Sequence, residues 1–356
     1  MNNYSFLKTY KNLKVIVTGS TGFKGSWLSF WLNKLGSKVI GIGLKPEKNF
    51  VLYEQLKLRK KIYQHIMNIE NYKKLNDIVK KEKPDIIFHL AAQSIVSESF
   101  KKPLNTIRSN VLGSANILET VRINKIKSLV YVTSDKCYLN QGFKKNYKET
   151  DTLGGYDNYS SSKASAEILF HSYFHSFLKN NKNTCAGTVR AGNVIGGGDF
   201  KENRIIPDFF RAISNKKTLL IRNPKSTRPW QHVMEPLSGY LKLGHLLLNK
   251  KISQDFYPSW NFGPHKVNCK EVAEIIKMFC NYLSINKNFK ILKNNTMTEA
   301  NFLSLNINKS KKELNWQPRL TLNECVKFTS DWYKNYFLKN DLELFTNKQI
   351  EEYEGR

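Results

Sequence analysis

The chain has 356 residues, 40% of them hydrophobic and 24% charged, with 19 glycines and 10 prolines. That length buries a full core and holds one large α/β domain with a smaller companion, and the composition excludes a disordered or fibrous protein. The formal charge is +28, yet the lysines are spread along the chain and no basic run is interleaved with aromatics; a solvated basic surface that attracts an anionic small substrate is expected, and no nucleic-acid partner.

In chain order, residues 1–8 lack the apolar segment of a secretion signal, and no run of about 18 apolar residues follows. A cytoplasmic location with no membrane partner is expected. Short β-branched runs at 14–18, 38–42, 85–90, 128–134 and 186–190 alternate with helical periodicity at 25–35, 71–81, 105–123 and 159–177, the pattern of parallel strands joined by crossover helices. The fold class expected is α/β, a doubly wound parallel (Rossmann) sheet with a smaller C-terminal substrate-binding lobe. From Asn193 the rhythm breaks into Gly- and Pro-rich loops, with further helices near 237–248 and 272–283. The dinucleotide-binding domain is accordingly assigned to 1–192 and 231–265, the nucleotide-sugar lobe to 193–230 and 266–340, and a polar tail of undefined structure to 341–356. Five cysteines, Cys137, Cys185, Cys269, Cys280 and Cys325, form no Cys-x-x-Cys pair, so neither a zinc site nor a disulfide framework is expected.

Gly19-Ser20-Thr21-Gly22-Phe23-Lys24-Gly25 follows the first strand and opens the first helix, the place where a helix N-terminus binds a pyrophosphate. At the end of the second strand, Gly43-Leu44-Lys45 stands where NAD enzymes usually offer an acid to the ribose, which leaves NAD and NADP both open. Tyr159-Ser160-Ser161-Ser162-Lys163 puts a phenol and an amine on one helix face, suited to a general base. The same spacing recurs at Tyr4/Lys8, Tyr10/Lys14 and Tyr53/Lys57, and only position after the strand at 128–134 selects this pair. At that strand's end, Thr133-Ser134-Asp135-Lys136-Cys137-Tyr138 brings together a hydroxyl, a carboxyl and an amine. Arg222 and Arg228 each carry a guanidinium fork suited to a diphosphate. His232 and Glu235 could face either substrate or core, and Trp316, beside a turn, is read as packing.

Together 18–25, 88–93, 133–138, 159–163, 190–199 and 228–233 resemble the CDP-glucose 4,6-dehydratases within the extended short-chain dehydrogenase family, over about residues 13 to 333. The resemblance implies a hydro-lyase that oxidises a nucleotide-activated hexose at C4, eliminates water across C5 and C6, and returns the hydride to C6 through NAD. Tyr159 and Lys163 would form the oxidation pair, Ser134 would bind the substrate 4-hydroxyl, and Asp135 with Lys136 would handle elimination in either division of acid and base. Gly19, Thr21, Gly22, Phe23, Lys24, Gly25, Leu90, Ala91 and Ala92 would hold the cofactor alongside Tyr159 and Lys163. Gln93, Asn193, Arg222, Arg228 and His232 would meet the substrate, and a homo-oligomer is expected. Ser20, Lys45 and Asn68 depart from the family pattern at the cofactor end. An epimerase on this fold would use Tyr159 and Lys163 without Asp135 and Lys136. A dehydratase acting on UDP-N-acetylglucosamine could use the same Asp-Lys pair, and a non-catalytic nucleotide sensor would need neither.

Overall fold

The computed structural model describes residues 4–46, 51–181, 183–252, 258–265, 268–286, 289–291 and 302–356. Seven strands form the central sheet: β1 (Lys14–Thr18), β2 (Lys38–Gly43), β3 (Tyr63–Ile66), β4 (Ile86–His89), β5 (Ser128–Val132), β6 (Cys185–Ala191) and β7 (Ser259–Phe262). Their order is β7-β6-β5-β4-β1-β2-β3, and every pairing is parallel. The winding direction reverses between β1 and β4, which opens a crevice at the carboxyl ends of those strands.

β1 shows why the sheet is covered on both faces. Val15 and Val17 join one core cluster and Ile16 the other, because successive side chains of a strand point to opposite faces. Five strands lie where the hydrophobic runs place them. β3 and β7, at the two edges, do not: Tyr-Gln-His-Ile and Ser-Trp-Asn-Phe lack a sustained apolar run, and their pairing with β2 and β6 defines them.

The helices of ten residues or more among the described residues are α1 (Phe23–Lys34), α2 (Tyr72–Glu82), α3 (Gly113–Asn124), α4 (Asn158–Tyr173), α5 (Ile205–Ser214), α6 (Met234–Leu248), α7 (Val272–Leu283), α8 (Leu322–Phe337) and α9 (Leu342–Glu354). In α2, Leu75, Ile78 and Val79 form the buried face, and the Asn71 side chain caps the start by accepting from the Lys74 N–H at 3.0 Å. The helix expected over 105–123 is interrupted: Pro103–Ile107 leads through a π turn, Arg108–Leu112, into α3. The wider turn buries Asn110, whose amide donates to the Gln93 carbonyl and to Ser162 Oγ, both at 2.9 Å, and accepts from the Gln93 N–H at 2.7 Å. A loop of the crevice is thereby fastened to α4.

Beyond the sheet, Thr227–Pro229 pairs antiparallel with Cys269–Glu271, Phe289–Ile291 lies along Leu219–Ile221, and Gln231–His232 along Val194–Ile195. None of the five cysteines is in a disulfide. No helix among the described residues is long and apolar enough to cross a membrane.

The segment 341–356, whose structure its polar sequence leaves undefined, forms the helix α9. Asp341 caps it by accepting from the Leu344 N–H at 3.0 Å, and Ile350 and Tyr353 are fully buried. Its buried residues fall at helical spacing, Leu342, Thr346, Gln349, Ile350 and Tyr353 making the packed side, but with two of the five polar no apolar stripe marks it. Trp31 on α1 donates to Glu354 at 2.7 Å, and the Tyr353 hydroxyl donates to Glu235 Oε2 at 2.9 Å.

Glu235 is therefore a core residue, buried at the start of α6, with Oε1 accepting from the Arg319 and Leu320 N–H groups at 2.9 and 2.6 Å. Burial pushes its carboxyl up to about 7, against the pull of those bonds. An unfolded glutamate ionises near pH ~4.3, so between that value and about 7 the unfolded chain loses its proton first. The group's contribution to stability is complete in acid and falls as pH rises through that window, by up to ~4 kcal/mol. Glu235→Gln keeps the two backbone acceptor bonds and cannot ionise. Denaturant unfolding of both proteins at pH 5 and pH 8 should show the glutamine variant gaining on the parent at the higher pH; an unchanged difference would exclude the titration.

Candidate active site

The carboxyl ends of the strands open into one continuous cleft of about 1470 Å³, running from Gly43 and Asn68 past Ser134 to Arg222 and Arg228. At its floor the chain turns from β1 into α1. Gly19 has φ +74, and its N–H donates to the Ile42 carbonyl at 2.7 Å. A Cβ on Gly25 would lie 2.0 Å from the Gly19 carbonyl oxygen, and one on Gly19 2.9 Å from the Ala91 nitrogen. These two glycines let helix, turn and the β4 loop close on one another, leaving the α1 N-terminus facing the cleft. Thr18 Oγ1 accepts from the Leu90 and Ala91 N–H groups at 3.2 and 3.1 Å, which fixes the opposite wall. Thr21 Oγ1 donates to the Leu44 carbonyl at 3.0 Å and so ties the turn to the end of β2.

Leu44 and Lys45 stand exposed at that end, with Asn68 and Glu70 across from them along the cleft. The Asn68 amide donates to the Glu70 carboxylate at 3.0 Å. Glu70 is an acid that the reading of the second strand missed, because it arrives from the loop after β3.

The reactive groups gather midway. Asp157 caps α4, accepting from the Ser160 N–H at 2.9 Å and Oγ at 2.6 Å, and four-residue spacing then puts Tyr159 and Lys163 on the cleft side, both buried. Burial pushes the phenol up to about 12, a hydrogen bond with Ser134 and the Arg204 cation opposing it. Burial brings the Lys163 ammonium down to about 8, against Cys137 and Glu167. Ser134 Oγ donates to Asp135 Oδ1 at 3.1 Å and accepts from the Lys136 N–H at 3.2 Å. Asp135 is 2% exposed, its Oδ2 has no hydrogen-bond partner, and burial raises its carboxyl despite Lys136, Lys24 and Arg228 nearby. A side chain at Gly192 would come within 2.8 Å of that oxygen. Lys24 lies toward this cluster too: burial lowers its amine to about 8, with Asp135 working against that and Arg204 and Lys163 with it.

Asn193, Arg222 and Arg228 line the far half of the cleft. Arg228 is buried on its short strand and donates to the Thr227 carbonyl at 3.0 Å, whereas Arg222 is exposed and donates to Asn203 Oδ1 at 2.8 Å. Ala92 and Gln93 are on the cleft wall, but the Gln93 amide is committed within its loop, donating to Ile95 O at 3.0 Å and Thr106 Oγ1 at 2.9 Å. His232, expected to touch substrate, does not reach the cleft. Its two-residue strand buries the ring completely between Trp27 and Phe328, and that burial lowers its pKa to about 3, so it is a neutral core histidine. Trp316 is buried and donates to Ser238 Oγ at 2.9 Å. Arg204 escaped the sequence reading: it bridges Asp199 at 2.8 Å and Ser94 Oγ at 2.9 Å across the cleft, a pairing with no local sequence signal. Among the described residues no cluster of His, Cys, Asp or Glu could hold a metal.

A doubly wound sheet with a glycine-rich turn at its switch point and a Tyr-Lys pair beside a strand-end Ser-Asp-Lys defines an enzyme of the dinucleotide-binding, short-chain dehydrogenase type. Residues 16–329 match the family described as GDP-mannose 4,6 dehydratase, and the chain belongs to that family. It is 38% identical over 349 residues to the CDP-glucose 4,6-dehydratase of Salmonella typhimurium, covering 97% of both chains. It is 31% identical over 273 residues to the dTDP-D-glucose 4,6-dehydratase of Dictyostelium discoideum, covering 68% of this chain and 58% of that one. In fold it resembles the dTDP-glucose 4,6-dehydratase of Bacillus anthracis in complex with NAD, with a TM-score of 0.76 at 22% identity over 91% of this chain and 97% of that one. The UDP-glucose 4-epimerase of Thermotoga maritima with UDP-glucose gives 0.79 at 19% identity, over 91% and 100%.

Proposed function

We propose that the enzyme is a nucleotide-sugar 4,6-dehydratase, a hydro-lyase, and that it converts CDP-D-glucose to CDP-4-keto-6-deoxy-D-glucose. The observation that carries the reading is the buried Asp135 carboxyl with a free oxygen, set between Lys136 and the Tyr159–Lys163 pair at one point of the cleft. An epimerase needs the pair alone. CDP-glucose is favoured over other nucleotide hexoses by the near-full-length likeness to the Salmonella enzyme.

The turn at Gly19, Gly22 and Gly25 fits a dinucleotide, since its glycines clear the backbone around the α1 N-terminus. Thr21, Phe23, Lys24, Leu90, Ala91 and Ala92 would complete the cradle. Bound NAD would supply the hydride acceptor for C4, the donor for C6, and a positive charge beside Tyr159. Tyr159 takes the 4-hydroxyl proton, with Ser134 orienting that hydroxyl and the Lys163 ammonium favouring the phenolate. The 4-keto group acidifies C5. Lys136 removes the C5 proton, and Asp135, whose burial favours its protonated form, delivers a proton to the departing 6-hydroxyl. Asn193, Arg222 and Arg228 hold the nucleotide diphosphate, and Gln93 shapes the substrate wall.

The same reading divides the chain into 1–192 with 231–265 for the cofactor and 193–230 with 266–340 for the nucleotide sugar. It places the enzyme in the cytoplasm as a homo-oligomer without a nucleic-acid partner. Exposed Leu104, Ile107, Leu112 and Ile168 on the helices flanking the sheet support self-association. The test is incubation with CDP-, dTDP-, GDP- and UDP-hexoses and mass analysis of the products. Loss of water from CDP-glucose alone is the expected result; dehydration of another nucleotide hexose instead would reassign the substrate, and epimerisation without water loss would overturn the reaction.

A further inference from the structure

Behind the reactive groups lies a charged pair that the mechanism above does not use. Glu167 and Arg190 have fully buried side chains, and Arg190 Nη2 donates to Glu167 Oε2 at 2.8 Å. Thr188 Oγ1 donates to the same oxygen at 3.0 Å, and Thr133 Oγ1 donates to Oε1. The second arm of Arg190 donates to the Tyr138 hydroxyl at 2.8 Å and to the Glu149 carbonyl at 2.9 Å. The Tyr138 hydroxyl donates in turn to Asn261 Oδ1 on β7 at 2.7 Å.

Two placements give this arrangement a purpose. Tyr159, Lys163 and Glu167 recur every four residues on α4, so the carboxylate sits one turn beyond the ammonium on the same face. Thr133 precedes Ser134, and Tyr138 ends the turn that carries Asp135 and Lys136. One carboxylate thus ties the helix bearing the oxidation pair to the strand end bearing the elimination pair. An ion pair kept in a dry core is weak evidence for stability, since well-packed apolar residues serve as well.

We propose that Glu167, held by Arg190, Thr133 and Thr188, is a positioning residue that keeps the Lys163 ammonium charged and in register with the Ser134 turn during proton transfer at Tyr159. The proposal rests on the reaction assigned above. The groups bearing on Lys163 agree with it. From the turn after β5 comes the Cys137 thiol, which burial pushes far above its ordinary range and so keeps neutral. From α1 comes Lys24 and from β4 His89, the histidine kept neutral by burial with a pKa of about 3. Glu167 is itself held below the usual carboxylate range: burial acts to raise it, and the Arg190 charge with the Arg190 and Thr133 hydrogen bonds outweighs burial. Among these groups it is the standing negative charge that acts on Lys163.

The experiment compares the parent with Glu167→Gln, Glu167→Asp and the double variant Glu167→Gln/Arg190→Gln, which removes both buried charges together so that neither is left unpaired. Lys163 is followed by ¹³Cε-lysine NMR titration, its resonance identified by loss in Lys163→Met, and turnover of CDP-glucose is followed against pH. In Glu167→Gln the Lys163 titration and the alkaline limb of kcat should both move down by ~1 pH unit, with KM nearly unchanged, and Glu167→Asp should restore most of the shift. The double variant should keep a downward displacement smaller than that of Glu167→Gln, because the Arg190 cation bonded to that carboxylate at 2.8 Å leaves with it. A folded variant without Glu167 whose Lys163 titration and alkaline limb stay at the parental pH would overturn the proposal, leaving the pair a structural one. Failure of the parent to dehydrate any nucleotide hexose would defeat the functional reading instead, and the titration, which needs no substrate, would still decide the role of Glu167.

Discussion

Replacement of Tyr159 with phenylalanine is expected to lower kcat at least ~100-fold, the scale of losing a positioned general base, while CDP binding stays close to that of the parent. The ring is buried and phenylalanine refills its space, so the change removes one oxygen and its bond with Ser134. Burial holds the phenol at about 12, which makes it a poor base by itself. The rate therefore depends on cations around it, Lys163 and Arg204 in the protein. The measurement is turnover of CDP-glucose together with calorimetric titration of CDP. A folded variant with near-parental kcat would remove Tyr159 from the chemistry.

The second large effect belongs to Lys136. Lys136→Met keeps the bulk of the chain and deletes the amine, and water loss should fall by ~10²–10⁴-fold, the range for a general acid or base. Oxidation at C4 uses other residues, so the variant should halt at the 4-keto hexose. Borohydride quenching would then yield both glucose and galactose, in amounts matching the enzyme, and no 6-deoxy sugar. In D₂O the parent should place deuterium at C5 of its product. Formation of the 6-deoxy product at the parental rate, or a parent product that keeps its original C5 hydrogen, would show that the strand-end pair does not carry the elimination.

What could be read before folding was whatever lies close in sequence. β1, β2, β4, β5 and β6 are runs of buried apolar residues, and the turn after β1, the pair on α4 and the cluster at 134–136 are each local patterns beside them. What could not be read depends on contacts between distant segments. Glu70 and Arg204 reach the cleft from loops with no periodic signal, and Arg204 gains its meaning from Ser94, which lies 110 residues away. His232 went the other way, because nothing in Gln-His-Val distinguishes a ring packed edge-on against Trp27 from one facing a ligand. Glu167 and Arg190 are a buried charge pair whose halves sit on a helix and a strand, and either alone reads as an ordinary polar residue.

The backing of α1 by α9 has a bearing on how the molecule comes into being. Trp31 is fully buried, its ring edge packed on Tyr353 and its nitrogen bonded to Glu354, yet α1 is the helix whose first turn lines the cleft. A nascent chain that has already exposed the glycine-rich turn, the Tyr-Lys pair and the strand-end cluster still lacks the surface that seats this helix, and domains gain their cooperative packing as units. The nucleotide site should accordingly mature after synthesis has passed residue 354, so that a polypeptide arrested before α9 would carry every reactive group and remain unready to use them.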